Sequence, residues 1–217
     1  MSILLCAATS FEIQPTLDLL QQKGWQARVE VLITGVGLLA ATYALTKSVT
    51  LVKPGLLLQA GIAGSFDKNL SLTQVVAVKD EVVGDLGVME GGSFKSLFDM
   101  GFQSANEHPW REGVLRNPHP SLLEKTGLPQ VKSVTINEIS TAPARIAYYK
   151  NELGVSVESM EGAALHYVAL QEDIPFLQLR AISNHVGERD KGKWNLQGSI
   201  ASLNQHLQAF FIKTLDT

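Results

Sequence analysis

The chain has 217 residues, of which 45% are hydrophobic and 18% charged, and a formal net charge of −3. This is enough apolar chain for one α/β domain with a sizeable core, read here as a single domain over residues 1–217, and it excludes an intrinsically disordered chain. The slightly acidic balance excludes a clustered basic footprint for nucleic acid, no run reaches the roughly 18–20 apolar residues of a membrane span, and the lone cysteine, Cys6, excludes an intrachain disulfide and a cysteine-based metal site.

Residues 3–8, Ile-Leu-Leu-Cys-Ala-Ala, read as a buried first strand. The apolar N-terminus lacks the basic lead of a signal peptide, so a soluble, cytoplasmic protein is expected. Thr9 and Ser10 can cap a helix whose apolar spacing comes from Phe11, Ile13, Leu17 and Leu20. Pro15 fits this helix only in its first turn, and Gly24 ends it. Glu12 then lies just past the strand end, where an acid also suits a helix start for dipole reasons alone.

Residues 27–34 read as a second strand ending in Thr34-Gly35-Val36-Gly37, and residues 38–48 as a helix. The Gly-Val-Gly turn lacks the third glycine of a dinucleotide fingerprint, so no Rossmann cofactor is expected, nor any other. Residues 56–60 are a continuous apolar run, as in a central strand buried on both faces. They lead into Gly61-Ile62-Ala63-Gly64. This stretch reads as a glycine turn that lets a ligand approach the backbone closely, or as a plain tight turn. No Lys or Arg follows it as in a phosphate loop.

Residues 73–80 read as a strand, followed by a long irregular connection over residues 83–120. Phe94, Phe98, Phe102 and Trp110 are too many aromatics for a disordered linker, so a folded flap is expected. Asp85 opens it, with structural and catalytic roles both open. His108 and His119 each precede a proline, and nothing pairs them at metal-ligand spacing, so no metal site is expected.

Residues 130–136 read as a strand leading into Asn137-Glu138-Ile139-Ser140-Thr141, and Thr141 and Pro143 can cap and open a helix to residue 151. Then come a strand over 154–158, a helix over 160–172, a buried strand over 176–182 and a closing helix over 198–215. Ile200, Leu203, Leu207, Phe210 and Phe211 lie on one face of the last. Strand and helix alternate, so the expected architecture is a three-layer α/β/α sandwich around a central mixed, twisted sheet. Two polar clusters, residues 158–162 and 180–184, fall where strands end and helices begin, the usual place for ligand sites in an open α/β sheet.

The order of these features carries a resemblance. A strand followed by Glu12, the Gly35-Val36-Gly37 turn, Gly61-Ile62-Ala63-Gly64, then Met160-Glu161-Gly162-Ala163-Ala164 and Arg180-Ala181-Ile182-Ser183-Asn184 resembles the purine nucleoside phosphorylase and nucleosidase superfamily over nearly the whole chain. Ser159 before Met160-Glu161-Gly162, Asn184 followed by Val186-Gly187 and Arg189-Asp190, and then Trp194 make it most similar to the futalosine hydrolases of the N-ribosyl hydrolase branch. Adenine-specific members of that branch carry an aspartate where this chain has Asn184 and a serine where it has Ile62.

The resemblance implies a nucleoside phosphorylase-like fold and hydrolysis of the N-glycosidic bond of futalosine, a menaquinone-pathway step. An adenine-releasing nucleosidase and a phosphate-dependent phosphorylase are the alternatives. Glu161 would accept hydrogen bonds from the ribose hydroxyls, short and strong because the acceptor is charged, and Met160 would pack against sugar or base. Glu12 would orient and deprotonate the attacking water, and Arg180 would help place that water or steady the carboxylates. Ile62, Ala63, Gly64 and Ser183 would line the site. Asn137, Glu138 and Ile139 fall where related enzymes line the base pocket, with Ile139 as a hydrophobic wall. Asn184 offers one NH₂ donor and one C=O acceptor, which match O6 and a protonated N7 of hypoxanthine, with the proton coming from solvent or through a water. The substrate's 5′ substituent ends in a carboxylate, for which Lys95, Arg111, Arg145 and Arg189 are candidate partners. Relatives are commonly dimers, so a homodimer is implied.

Overall fold

A computed structural model describes residues 2–216; Met1 and Thr217, the ends of the expected 1–217 domain, lie outside the described residues. In chain order the elements are β1 (Ile3–Ala7), α1 (Ser10–Lys23), β2 (Val29–Ile33), α2 (Leu38–Val52), β3 (Leu56–Ser65), β4 (Val75–Val83), β5 (Gly87–Glu90), β6 (Ser93–Ser96), β7 (Leu115–Arg116), α3 (Pro120–Glu124), β8 (Gln130–Thr135), α4 (Pro143–Asn151), β9 (Val157–Ser159), α5 (Gly162–Gln171), β10 (Phe176–His185) and α6 (Leu196–Leu215). Among the described residues no helix is long and apolar enough to cross a membrane.

The layering follows from strand alternation. In β1 every residue is buried, with Ile3, Leu5 and Ala7 packed in one cluster with Ile13 and Leu20 of α1 and Leu203, Leu207 and Phe211 of α6. Leu4 and Cys6 point the other way, toward Ala41, Leu45 and Val49 of α2 and Ala164, Leu165 and Val168 of α5. Helices thus cover both faces of a mixed sheet, as expected. The sheet runs β10-β4-β8-β9-β3-β1-β2, with β7 added on β4. It also differs from an open sheet: β10 pairs with β3 as well as with β4, so β3, β10, β4, β8 and β9 close into a ring of pairings. The expected ligand site at strand ends therefore becomes a site at one mouth of a curled sheet.

Several local expectations change. Pro15 sits in the second turn of α1, not the first; there it removes only the bond to the Phe11 carbonyl. Phe11 is 62% exposed rather than part of the core face. Ala27 belongs to a 3-10 turn, Trp25–Ala27, so β2 starts later, and α2 continues to Val52. Ala142, not Thr141, caps α4. β10 continues through Ser183 and Asn184 to His185, with a register shift between Ile182 and Asn184.

The largest change concerns Gly61-Ile62-Ala63-Gly64. It is no turn: β3 runs straight through it to Ser65, paired with β10 on one side and with Glu158 and Val157 of β9 on the other. The glycines serve space, not backbone reversal. A Cβ on Gly61 would sit 2.5 Å from Nη1 of Arg180 and 2.9 Å from Oε1 of Glu12, and a glycine in a strand interior often marks such close approach.

The connection over residues 83–120 is a folded flap, as its aromatics indicated. β5 and β6 form a hairpin turning at Gly91 and Gly92, both at positive φ. Phe98 and the buried Trp110 meet edge to face at 5.2 Å, while Phe102 stands in solvent.

Candidate active site

A cleft of about 350 Å³ opens where β1, β3, β9 and β10 end, a size suited to a small organic ligand. Its lining combines Thr9, Phe11 and Glu12 from the start of α1, Val36, Ile62–Gly64 from β3 (residues 62–64), Ile136 and Ile139, Glu158–Glu161 (residues 158–161), Ser183 and Asn184 from β10, and Trp194.

One end of the cleft is acidic and tightly wired. Glu12 is the third residue of α1, and its Oε2 accepts from both the backbone N–H and the hydroxyl of Thr9, at 3.1 and 3.0 Å. The same carboxylate therefore caps its helix and faces the cleft, so the two roles read for it are not exclusive. Its Oε1 accepts from the backbone N–H of Ile62 at 3.1 Å. Glu161, the N-cap of α5, accepts on Oε1 from the backbone N–H of Gly37 at 3.0 Å. Its Oε2 lies 3.6 Å from Nη1 of Arg180. Gly35 and Gly37 both have positive φ, and the turn they make aims the Gly37 N–H at Glu161. That function of the Gly-Val-Gly turn was not visible in the sequence.

Arg180 is 2% exposed and does not line the cleft. It stands behind, donating to Oε1 of Gln59 at 3.0 Å while pairing with Glu161. Around it lies a buried polar layer. Thr135 donates to Oε1 of Glu81 at 3.0 Å and accepts from the N–H of Ala163 at 2.8 Å. Burial pushes the Glu81 carboxyl up to about 7 despite the Arg180 charge, and burial holds the His166 imidazole down to about 4. Gly162 fits because a Cβ there would fall 2.3 Å from Oε2 of Glu81. Sequence reasoning missed this layer: Glu81 follows Lys79 and Asp80 in the strand and looks like one of a run of surface charges, and its burial under the start of α5 is a tertiary event.

The other end is looser. Asn184 accepts on Oδ1 from the Ser183 hydroxyl at 2.9 Å and donates to the His185 carbonyl at 3.3 Å. Glu158, Ile139 and Trp194 complete this end. Burial pushes the Glu158 carboxyl up to about 7, and the neighbouring Ser140 and the charge of Arg189 temper the shift.

Of the expected site residues, Glu12, Ile62, Ala63, Gly64, Ile139, Met160, Glu161, Ser183 and Asn184 are brought together in the cleft. Three are not. Arg180 acts from behind, as described. Asn137 is spent on Asp85, donating to it from backbone and side chain at 2.6 and 3.1 Å, which also settles a structural partner for Asp85. Glu138 lines a second, larger cavity of about 800 Å³ that shares Ile139 with the first. The physical reason is direction: past the end of β8 the chain turns away, and of the triplet 137–139 only Ile139 reaches both cavities. The flap hairpin and α4 wall this second cavity with Phe94, Arg145, Tyr148 and Tyr149. Phe11, Val36, Glu158, Ser159 and Trp194 line the first cleft without having been assigned to it; Glu158 had a signal, its place in the polar seam.

The curled mixed sheet thus carries two glutamates in one cleft, with Arg180 buried behind Glu161. The phosphorylase superfamily's sequence profile matches residues 19–215, and the chain belongs to that superfamily. Its kinship within the superfamily runs to the futalosine hydrolases: that of Thermus thermophilus is 30% identical over 178 residues, covering 78% of this chain and 75% of that one. Among solved structures, the native futalosine hydrolase of Helicobacter pylori superposes with a TM-score of 0.73 at 18% identity, over 99% of this chain and 96% of that one. The apo 5′-methylthioadenosine nucleosidase of Arabidopsis thaliana superposes with a TM-score of 0.77 at 20% identity, over 100% and 96% of the two chains. At those identities the two superpositions speak for the fold alone.

Proposed function

We propose that the protein hydrolyses the N-glycosidic bond of futalosine, releasing hypoxanthine. The reading is carried by one observation: Glu12 and Glu161, far apart in sequence, face one cleft of nucleoside size, and both are positioned by backbone N–H groups. Bond breaking builds positive charge on the ribose, which carboxylates fixed in advance stabilise without reorganising. Glu161 accepts from the ribose hydroxyls. Glu12 takes the proton of the attacking water, help typically worth about 10²–10⁴-fold. Arg180 holds Glu161 in place and stands beside Glu12 across Gly61. Asn184 reads the base: its NH₂ suits O6 and its C=O a protonated N7.

Water rather than phosphate as nucleophile is supported by the cleft's charge. Among the described residues its lining holds three glutamates and no Lys or Arg, a poor environment for a phosphate anion. Of the four cations considered for the substrate's terminal carboxylate, Lys95, Arg111 and Arg189 line neither cavity. Arg145 lines the neighbouring cavity, stacked on Phe94 at 4.1 Å, and we assign it that role. A homodimer is supported by an apolar strip running from the cleft mouth along α2: Phe11, Val36, Leu39 (87% exposed) and Tyr43. Soluble monomers rarely leave such strips bare.

The test is direct. Purified protein is given futalosine, inosine, methylthioadenosine and adenosylhomocysteine, with and without phosphate, and the free bases are followed. Phosphate-independent hypoxanthine release is expected. Adenine release without hypoxanthine, or a strict phosphate requirement, would defeat the reading.

A further inference from the structure

Asn184 can hold a departing purine but has no acidic proton to give. The side chain beside it does. Glu158 of β9 pairs with Gly64 of β3 from one side, and Asn184 of β10 pairs with the same Gly64 from the other. A Cβ on Gly64 would lie 3.1 Å from Cγ2 of Val186, 3.4 Å from Nδ2 of Asn184 and 3.4 Å from Cγ of Glu158. The Asn184 amide and the Glu158 side chain thus flank the same glycine from its two sides, and both residues line the cleft. Glu158 is 7% exposed. Its Oε2 and the Ser140 hydroxyl beside it both lack a hydrogen bond of good geometry, so the carboxyl is not committed to a strong partner and a ligand group can compete for it.

We propose that Glu158 is the catalytic acid of the cleft, delivering its proton to N7 of the leaving 6-oxopurine while the Asn184 amide holds O6. The proposal rests on the hydrolase reading above. As the C1′–N9 bond breaks, its electron pair stays with the purine and the Glu158 proton moves to N7, so the base leaves neutral. Water adds to C1′ and gives its proton to Glu12. Solvent then takes that proton from Glu12 and returns one to Glu158, and a single water is consumed.

The surroundings favour the protonated form. Burial is the dominant influence on Glu158 and places its titration at about 7, against the opposing pull of Ser140 and of Arg189 beyond β10. Tyr149 of α4, which also faces it, is itself pushed up to about 12, chiefly by burial, and adds no charge near neutrality. A carboxylic acid held near the working pH is suited to general-acid catalysis. The form required is the protonated one, so turnover falls as pH rises through about 7.

The experiment compares futalosine with its N7-methylated derivative, whose imidazole already carries a fixed positive charge and leaves without a proton. Glu158→Gln keeps the shape and removes the acid. On futalosine, kcat is expected to drop by about 10²–10⁴-fold, with loss of the alkaline limb near pH 7. On the N7-methyl substrate, parent and variant are expected to match. Full activity of the variant on futalosine, or equal losses on both substrates, would overturn the assignment. Should the variant not fold, the parent's own profile decides: a kcat on futalosine that stays flat or rises between pH 6 and 9 refutes an acid titrating near 7. If the parent releases no base from either substrate, the hydrolase reading fails instead, and the two failures are told apart.

Discussion

The two ends of the cleft are built differently. At the acidic end every functional group is pinned: Glu12 by Thr9 and Ile62, Glu161 by Gly37 and Arg180, Arg180 by Gln59. At the amide end Asn184 is held only by its immediate neighbours, Ser183 and His185, and Glu158 has Ser140 beside it. Chemistry that any N-riboside demands needs fixed charge, because a misplacement of about 1 Å can cost about 10²-fold. Recognition of one base over another needs only a donor and an acceptor that can be exchanged. A fold can therefore keep the first end rigid and vary its substrate at the second.

That contrast can be broken at its strong end. Glu12→Gln keeps the helix cap's shape and removes the base, so kcat on futalosine should fall by about 10²–10⁴-fold while the ligand still binds, measured by calorimetry beside steady-state kinetics. Unimpaired turnover would remove Glu12 from the chemistry. Gly61→Ala presses a methyl between Arg180 and Glu12. It should cost about 10²-fold in kcat/KM with the far-ultraviolet circular dichroism unchanged; a variant as active as the parent would show that the acidic end tolerates displacement.

A smaller effect reads the buried layer behind that end. Folded Glu81 holds its proton up to about 7, whereas the unfolded chain loses it near 4.5. Its contribution is therefore fully present below pH 4.5 and is lost as pH rises to about 7, a difference on the order of 3 kcal/mol. His166 acts in the opposite sense, costing stability as pH falls from 6.5 toward 4. Comparing melting temperatures of parent and Glu81→Gln isolates the acid: the parent should lose several degrees more than the variant between pH 5 and 8. Parallel curves would mean that Glu81 does not titrate in this window.

Much of this contrast was legible in the chain itself. Apolar runs located β1, β3 and β10, and the seams at residues 158–162 and 180–184 located the cleft. What stayed hidden had physical causes. The strand through Gly61 and Gly64 looked like a turn because glycine signals backbone freedom and crowding from neighbours alike, and only the Arg180 and Glu12 contacts distinguish them. Glu81 was not singled out, because burial beneath the start of a helix far along the chain, α5, leaves no periodic trace around it. Asn137 and Glu138 were placed by analogy of position, and the local direction of the chain sent them elsewhere. The hairpin at Gly91-Gly92 carried a readable signal, two glycines between short alternating runs.

The division of labour is tested most directly by one ratio: kcat/KM for futalosine over its 6-amino counterpart, in the parent and in Asn184→Asp. The parent should favour the 6-oxo substrate. The substitution should move the ratio toward the 6-amino one by about tenfold to hundredfold, the cost of leaving buried polar groups unpaired. A ratio unchanged by the substitution would contradict the claim that the amide end chooses the base.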